Sequence, residues 1–302
     1  MFSFMPAFVK IPLGLLLIAT NTVIHCMPLF ALALVKFLVP LHAARTLLSR
    51  VLILIAESWI SVNGAVFWLL TRIEWQVEGA DTLAYEGHYL VISNHQSWVD
   101  IPVLQKTFNK KLPFLKFFLK QELIWVPLLG LAWWALDFPF MKRHSKEFLE
   151  KHPELRGKDL ETTRKACEHF RHISVSVMNF VEGTRYTEAK RAQQQSPYTH
   201  LLKPKAGGVA FVLNAMGDIL QSVIDVTIVY PQGRPTFMDL LAGRVRSVRV
   251  LVRELAIPKD LLGGDYENDA AYRARFQQWV STLWAEKDAL LAQQAAGATR
   301  AR

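Results

Sequence analysis

The feature that most restricts the fold of this chain is an uncharged segment near its start. Residues 11–35 contain no formally charged side chain between Lys10 and Lys36. A helix needs about 20 apolar residues to cross the hydrocarbon core of a bilayer. A cleaved signal peptide fits less well, because its apolar region is only about 7–15 residues long. The segment therefore predicts a membrane helix, and its internal polar residues and proline also allow a kinked or re-entrant one.

A second apolar stretch, residues 51–70, includes Glu57 and other polar residues. This mixture predicts an amphipathic helix that lies at the membrane interface or packs on the first helix. The basic residues Lys36, Arg45 and Arg50 favour the cytoplasmic side. One span with an interfacial helix, or a shallow hairpin, would keep the rest of the chain cytoplasmic. The alternative is that both stretches are core helices of a soluble protein.

Composition excludes several other classes of protein. The 302 residues include 35 Lys and Arg against 26 Asp and Glu, which gives a net charge of +9. Two cysteines without C-x-x-C spacing cannot form a disulfide framework or a zinc ribbon. No repeated tract occurs, which argues against collagen and coiled-coil arrays, and no long basic run occurs, which argues against a nucleic-acid-binding protein. We expect a membrane-anchoring segment at residues 1–72 and a globular domain at residues 73–302.

After residue 72, short apolar runs alternate with helical patterns, which predicts an α/β domain. Strands are expected at residues 73–77, 89–93, 175–181, 223–229 and 245–252. Helices are expected at about 98–107, 123–136, 159–172 and 205–216, followed by an amphipathic closing helix around 272–284. Active sites of such sheets lie where strands end and loops begin.

The first polar cluster at a strand end lies in the segment VISNHQSWVD. An imidazole at position 95 is held by the rigid end of a strand. Asp100, one helical turn later, can fold back and accept the N–H of the His95 ring, which leaves the other ring nitrogen free as a base. The alternative is a structural one, in which His95 caps the turn and Asp100 caps a helix.

The second cluster, in NFVEGTR, is formed by Glu182, Gly183, Thr184 and Arg185. Glycine permits a turn with positive φ, and arginine offers a planar fork that suits a phosphate. The chain has no serine elbow, no phosphate-binding P-loop and no H-E-x-x-H motif. If the histidine is catalytic, it must therefore activate a hydroxyl that belongs to the substrate.

These blocks resemble those of the glycerolipid acyltransferases, the family of 1-acylglycerol-3-phosphate O-acyltransferases. NHQSWVD resembles the N-H-x-x-x-x-D block of the family, and FVEGTR resembles its E-G-T-R block. Segments around 120–143, LKPKAGG at 202–208 and VTIVYP at 226–231 resemble the other blocks, in family order. Stretches between the blocks are more similar to the lysocardiolipin-type branch. The resemblance implies an α/β domain with a mixed sheet flanked by helices.

The resemblance also implies roles for individual residues. His95 would be the general base that deprotonates a glycerol hydroxyl, and Asp100 would orient it. Arg185 would bind the phosphate of the acceptor in a pocket that Glu182 and Gly183 shape. The remaining candidates for substrate binding are Thr184, Arg143, Lys120 and Lys205.

The implied reaction moves an acyl group from acyl-CoA or acyl carrier protein to a lysophospholipid in the membrane, without a metal or other cofactor. The expected acceptor is 1-acyl-glycerol-3-phosphate. Lysophosphatidylinositol, lysophosphatidylglycerol and lysocardiolipin are alternatives. A membrane-anchored basic binding protein without acyl transfer is the alternative of another class. The expected location is a membrane, the inner membrane if the source is bacterial, with the catalytic domain on the cytoplasmic side.

Overall fold

The structure is a computed structural model that describes residues 2–141 and 169–300. Within these ranges the helices are α1 Ala7–Leu38, α2 His42–Leu70, α3 Asp100–Phe108, α4 Leu129–Ala135, α5 Glu188–Gln193, α6 Ala206–Met216, α7 Phe237–Ala242 and α8 Ala270–Arg300. Short 3₁₀ helices occupy Gln121–Trp125, His169–His172 and Lys259–Leu261. The strands are β1 Glu74–Glu78, β2 His88–Ser93, β3 Leu115–Phe117, β4 Leu119–Lys120, β5 Phe140–Met141, β6 Val175–Phe180, β7 Ser222–Val229 and β8 Ser247–Leu255.

Six strands form one mixed sheet in the order β1-β8-β7-β2-β6-β3. Four neighbours, β7, β2, β6 and β3, run parallel, whereas β8 runs antiparallel to β7. Every residue of β7 is buried, and so is nearly every residue of β2. Strands that are covered on both faces need continuous apolar runs, and the sequences of these two strands supply them.

Helices cover both faces of the sheet. On one face α6 and the closing helix α8 pack with residues such as Val209, Leu213 and Phe276. On the other face α3 and α7 pack through Leu104 and Leu241. This arrangement leaves the carboxyl ends of the parallel strands as the edge where loops from both layers meet.

The two apolar stretches near the start form a helical pair. Asn21 of α1 donates its side-chain N–H to Asn63 of α2 at 2.9 Å, a polar contact of the kind that holds helices together in apolar surroundings. Both helices are long and apolar enough to cross a membrane. Their outer surfaces expose large apolar side chains along the whole length of the pair, including Leu16, Ile24, Met27, Leu47 and Leu54.

The pair lies along the flank of the sheet domain. Gly14 packs against Leu241 of α7 at one end. Near the other end, Lys36 forms an ion pair with Asp137 at 2.6 Å, just after α4. The helical pair therefore contacts the sheet domain at both of its ends.

Several sequence-based boundaries need correction. The single helix expected at 123–136 is wrong: a 3₁₀ turn and α4 flank Pro127, which cannot continue a helix because it lacks an N–H. The strand expected at 245–252 lies at Ser247–Leu255 instead. Strands β3, β4 and β5 were not predicted, since each has only two or three residues. Most of the helix expected at 159–172 lies outside the described residues.

Candidate active site

The two polar clusters meet at one edge of the sheet. Strands β2 and β6 are parallel neighbours, and Ser93 pairs with Phe180 in their register. Because both strands end at this level, the segments that follow them begin side by side. His95 and Glu182 are therefore brought together although 87 residues separate them in the sequence.

A buried carboxylate holds the imidazole. Nδ1 of His95 lies 2.8 Å from Oδ2 of Asp100, whose side chain is completely buried. The same oxygen accepts the backbone N–H groups of Gln96 at 2.6 Å and Ser97 at 2.8 Å. An ionised carboxylate can only accept, so Nδ1 carries a hydrogen and the lone pair lies on Nε2.

Tyr230 contributes a further hydrogen bond to this carboxylate. Its hydroxyl donates to Oδ1 of Asp100 at 2.7 Å. Burial raises the pKa of Tyr230 well above its usual value, and the neighbouring Asp100 carboxylate raises it further. The phenol therefore stays protonated and remains a donor. Sequence reasoning gave Tyr230 no role, although it lies within the VTIVYP block.

The ring of His95 is also fixed from its face. It stacks on Phe180, with centroids 3.9 Å apart and planes 13° apart. Its backbone carbonyl accepts the N–H of Tyr186 at 2.7 Å. The His95 side chain keeps 13% of its surface exposed. The imidazole is thus held on several sides, and a small part of it faces open space.

Asn94 ties the same turn to the next strand. Its side-chain N–H donates to the carbonyl of Ile228 at 3.0 Å, and its oxygen accepts the Ile228 N–H at 2.9 Å. This pair of bonds replaces the ladder contact that β2 and β7 would make one residue further on. Asn94 is completely buried, so it supports the turn and cannot contact a ligand.

Glu182 has a different place from the one expected. Its side chain is completely buried. Oε1 accepts the N–H of His95 at 2.8 Å, and Oε2 accepts the N–H of Leu202 at 2.8 Å. Burial raises the pKa of this carboxyl to about 7, although both backbone bonds lower it. Glu182 therefore braces the backbone of the His95 turn and does not line a phosphate pocket.

The next two residues form the exposed part of this turn. Gly183 has φ of +67°, and a Cβ atom there would lie 3.2 Å from Nζ of Lys205. The turn thus brings the exposed Lys205 beside the E-G-T-R segment. The hydroxyl of Thr184 accepts a hydrogen bond from Lys190 at 2.7 Å. Lys190 is a second lysine at this turn that sequence reasoning did not single out.

Arg185 points its guanidinium at an aromatic side chain. The Arg185 Cζ atom lies 4.4 Å from the centroid of the Trp98 ring. Trp98 belongs to the His95 turn, so this contact joins the two clusters. Lys120 is exposed on β4, and within the described ranges it has no hydrogen bond or ion pair with the other candidates. Arg143 lies outside the described residues.

A large apolar cavity opens beside His95, with a volume of about 860 Å³. Its walls come from both long helices, from one face of α3 and from α4 and β3. The residues of the α3 side recur three or four positions apart, so the cavity follows this helix along its length. That side is lined by Trp98, Ile101, Pro102, Gln105, Lys106, Phe108 and Asn109.

Comparisons with known proteins show which family this chain resembles. The family model described as Acyltransferase matches residues 74–231, slightly more than half of the chain. The chain is 27% identical over 215 residues to the 1-acyl-sn-glycerol-3-phosphate acyltransferase gamma of Mus musculus, covering 67% of this chain and 52% of the relative. It is 26% identical over 253 residues to lysocardiolipin acyltransferase 1 of Danio rerio, covering 78% and 59%. The chain thus spans a little over half the length of these relatives.

A solved structure supports the fold. The 1-acyl-sn-glycerophosphate acyltransferase PlsC of Thermotoga maritima superposes with a TM-score of 0.51 and 16% identity. The match covers 92% of this chain and 98% of that one. The expected mixed sheet with flanking helices is confirmed by this likeness.

Replacing Glu182 should change the pH dependence of stability. A carboxyl whose folded pKa of about 7 exceeds the ordinary 4.5 stabilises the fold below pH 4.5 and loses that contribution as pH rises through about 7. We expect wild type to lose about 3 kcal/mol relative to Glu182→Gln across this window. At low pH the Gln variant should be the less stable protein, because the amide NH2 group cannot accept a backbone N–H, whereas the hydroxyl oxygen of the protonated carboxyl still can.

Thermal unfolding in detergent, followed by tryptophan fluorescence from pH 4 to pH 8, measures this difference. Glu267→Gln, which changes an exposed carboxyl, is the matched control and should follow the wild-type curve. Parallel curves for wild type and Glu182→Gln would contradict the prediction.

Proposed function

This chain belongs to the acyltransferase family, and from that premise we propose that it transfers a fatty acyl group from an acyl thioester to the free hydroxyl of a lysophospholipid. The observation that carries the proposal is the His95–Asp100 pair, whose imidazole lines a large apolar cavity. Acyl transfer to a lipid alcohol requires a base next to a cavity that can hold a lipid chain.

The reaction follows from the tautomer of His95. Nε2 takes the proton of the acceptor hydroxyl while the alcohol oxygen attacks the thioester carbonyl. The resulting imidazolium is stabilised by the Asp100 carboxylate on its other nitrogen. When the tetrahedral intermediate collapses, the C–S bond breaks and the departing thiolate receives the proton. Nucleophile and proton acceptor are thus both accounted for without a covalent enzyme intermediate.

We propose that cations at the E-G-T-R turn bind the phosphate of the acceptor. Arg185 offers a planar fork. Lys205, which precedes α6, lies beside Gly183 of this turn. Thr184 takes part through its contact with Lys190. Glu182 acts as a positioning residue, because its carboxylate holds the His95 turn. The role of Lys120 and Arg143 in this pocket stays a prediction from the resemblance.

The acyl chain of the donor has a suitable place in the apolar cavity. A volume of about 860 Å³ with almost entirely apolar walls favours a hydrocarbon chain over a polar ligand. The exposed apolar faces of the helical pair favour a protein that docks on a bilayer. We propose that residues 1–72 anchor the catalytic domain on the cytoplasmic side, in the inner membrane if the source is bacterial.

The proposed acceptor is 1-acyl-glycerol-3-phosphate, which would give phosphatidic acid. The names of several relatives support this choice, and that of the lysocardiolipin acyltransferase supports a different lysophospholipid as the alternative. The proposed donor is acyl-CoA or acyl carrier protein, and the chemistry derived above draws on no cofactor. No contact of the described site favours the alternative of a basic binding protein.

Replacing His95 tests the proposal directly. His95→Ala should lower kcat by about 10²–10⁴-fold, because the base is lost while the binding surfaces remain. Membranes containing the protein would be supplied with acyl-CoA and 1-acyl-glycerol-3-phosphate, and phosphatidic acid would be measured. His200→Ala, at a partly exposed histidine away from this site, should keep full activity. Wild-type turnover by His95→Ala would reject the mechanism.

Arg185→Ala should raise the KM for a phosphate-bearing acceptor by about tenfold to a hundredfold. Charge-assisted bonds from one guanidinium are worth about 1.5–3 kcal/mol. Arg171→Ala removes an arginine that pairs with Asp218 on the surface, and it should leave this KM unchanged. An unaltered KM in Arg185→Ala would mean that the phosphate is held elsewhere.

Gly64 offers a clean way to shorten the cavity. It lines the cavity from α2, and a Cβ atom at this position meets no atom within 4 Å. Gly64→Leu should therefore shift donor preference toward shorter chains without strain in the protein. Gly64→Ala is the control and should keep the wild-type preference while stabilising α2 by about 0.5–1 kcal/mol. The readout is relative kcat/KM over acyl-CoA donors of increasing length; identical profiles in Leu and wild type would contradict this placement.

A further inference from the structure

We infer that Trp98 is the positioning residue that orients the guanidinium of Arg185 for the acceptor phosphate. The inference deepens the proposed function and rests on it. Trp98 occupies one of the variable positions of the N-H-x-x-x-x-D block, so the motif itself assigns it no role. The structure nevertheless places its indole, which projects from the His95 turn, against Arg185 of the E-G-T-R turn.

The indole is the contact that fixes the guanidinium. Cζ of Arg185 lies 4.4 Å from the Trp98 ring centroid, well within the range of a cation–π interaction. In the part of the chain that the structure describes, the Arg185 guanidinium has no hydrogen bond and no ion pair; its backbone carbonyl alone accepts a bond, from Lys190. The direction of the guanidinium therefore depends on the aromatic ring.

This mode of support suits a phosphate site. A cation–π contact holds the guanidinium through its charge and needs none of its five N–H donors as a hydrogen-bond partner, so these donors stay available for an anion. A carboxylate partner would occupy those donors instead. The nearby carboxylates are already engaged: Glu182 accepts two backbone N–H groups, and Glu188 accepts bonds from Tyr186 and Arg234.

The backbone beneath Trp98 is held rigidly. Ser97 donates its N–H to Asp100, and its hydroxyl donates to the carbonyl of Pro235. The hydroxyl of Ser97 also accepts the N–H of Val99 at 3.0 Å. The indole therefore projects from the same fixed turn that holds the His95 ring. One turn thus sets the distance between the base and the phosphate-binding guanidinium.

Trp98 also lines the apolar cavity, and it is 58% exposed. A residue with this exposure can serve as an anchor at a membrane interface. Leucine separates the two roles, since it keeps apolar surface for the cavity and the bilayer but has no ring for the guanidinium. Phenylalanine keeps the ring and should rescue the positioning role.

The first experiment measures kinetic constants for 1-acyl-glycerol-3-phosphate. Trp98→Leu should raise its KM by about three- to tenfold, the loss expected for one cation–π contact at a partly exposed site, while kcat changes little. Trp98→Phe should stay within about twofold of wild type. Trp125→Leu removes another exposed tryptophan and should leave this KM unchanged. Equal effects of Trp98→Leu and Trp125→Leu would show an interfacial anchor and overturn the inference.

A double-mutant cycle tests the coupling itself. If Trp98 acts through Arg185, Trp98→Leu should have no further effect on the acceptor KM in an Arg185→Ala background. Additive effects of the two substitutions would contradict the inference.

Equilibrium binding separates this inference from the proposed function. Affinity for 1-acyl-glycerol-3-phosphate would be measured in detergent with His95→Ala protein, which binds without turnover, with and without Trp98→Leu. Weaker binding by the same three- to tenfold supports the positioning role even if wild type transfers no acyl group. Unchanged affinity rejects the role even if wild type is fully active.

Discussion

The carboxylate of Asp100 is the interaction on which the rest of the site depends. It is completely buried and accepts hydrogen bonds from two backbone N–H groups, from the ring of His95 and from the hydroxyl of Tyr230. A buried carboxylate with fewer donors would cost several kcal/mol, so the fold depends on all these groups staying in place. The turn, the tautomer of the imidazole and the position of the following indole are thereby fixed as one unit.

A second buried carboxylate joins this unit to the neighbouring strand. Glu182 accepts the N–H of His95 and of Leu202, so it links the ends of β2 and β6 with the loop before α6. The two sequence motifs thus meet through a side chain bound to backbone. Within the second motif the two side chains differ: Glu182 supports the fold, whereas the half-buried Arg185 lies against the ring of Trp98.

Features that depend on the local sequence pattern could be predicted well. The strand ends that carry His95 and Glu182 fall within one or two residues of their expected positions, because long apolar runs end there in polar residues. The contact between His95 and Asp100 also follows from spacing within one turn. The inward direction of Glu182 and the phenol of Tyr230 could not be predicted, since both depend on which strands become neighbours. Glu182 lies 87 residues from His95, and Tyr230 lies 130 residues from Asp100, and separations of this length do not show which strands pair.

The helical pair and the sheet domain are not separate units on either side of the boundary expected at residue 72. Composition changes there, yet the wall of the apolar cavity crosses it: Leu29 and Ile60 of the pair face Pro102 of α3 across the same space. The pair is fixed at both ends, by Lys36 against Asp137 and by Gly14 against Leu241. A helical segment that served only to hold the domain in place would need a contact at one end only. Because an acyl chain in this cavity would touch both the pair and the sheet domain, the helical pair forms part of the proposed substrate site. The outer side of the same two helices exposes large apolar side chains.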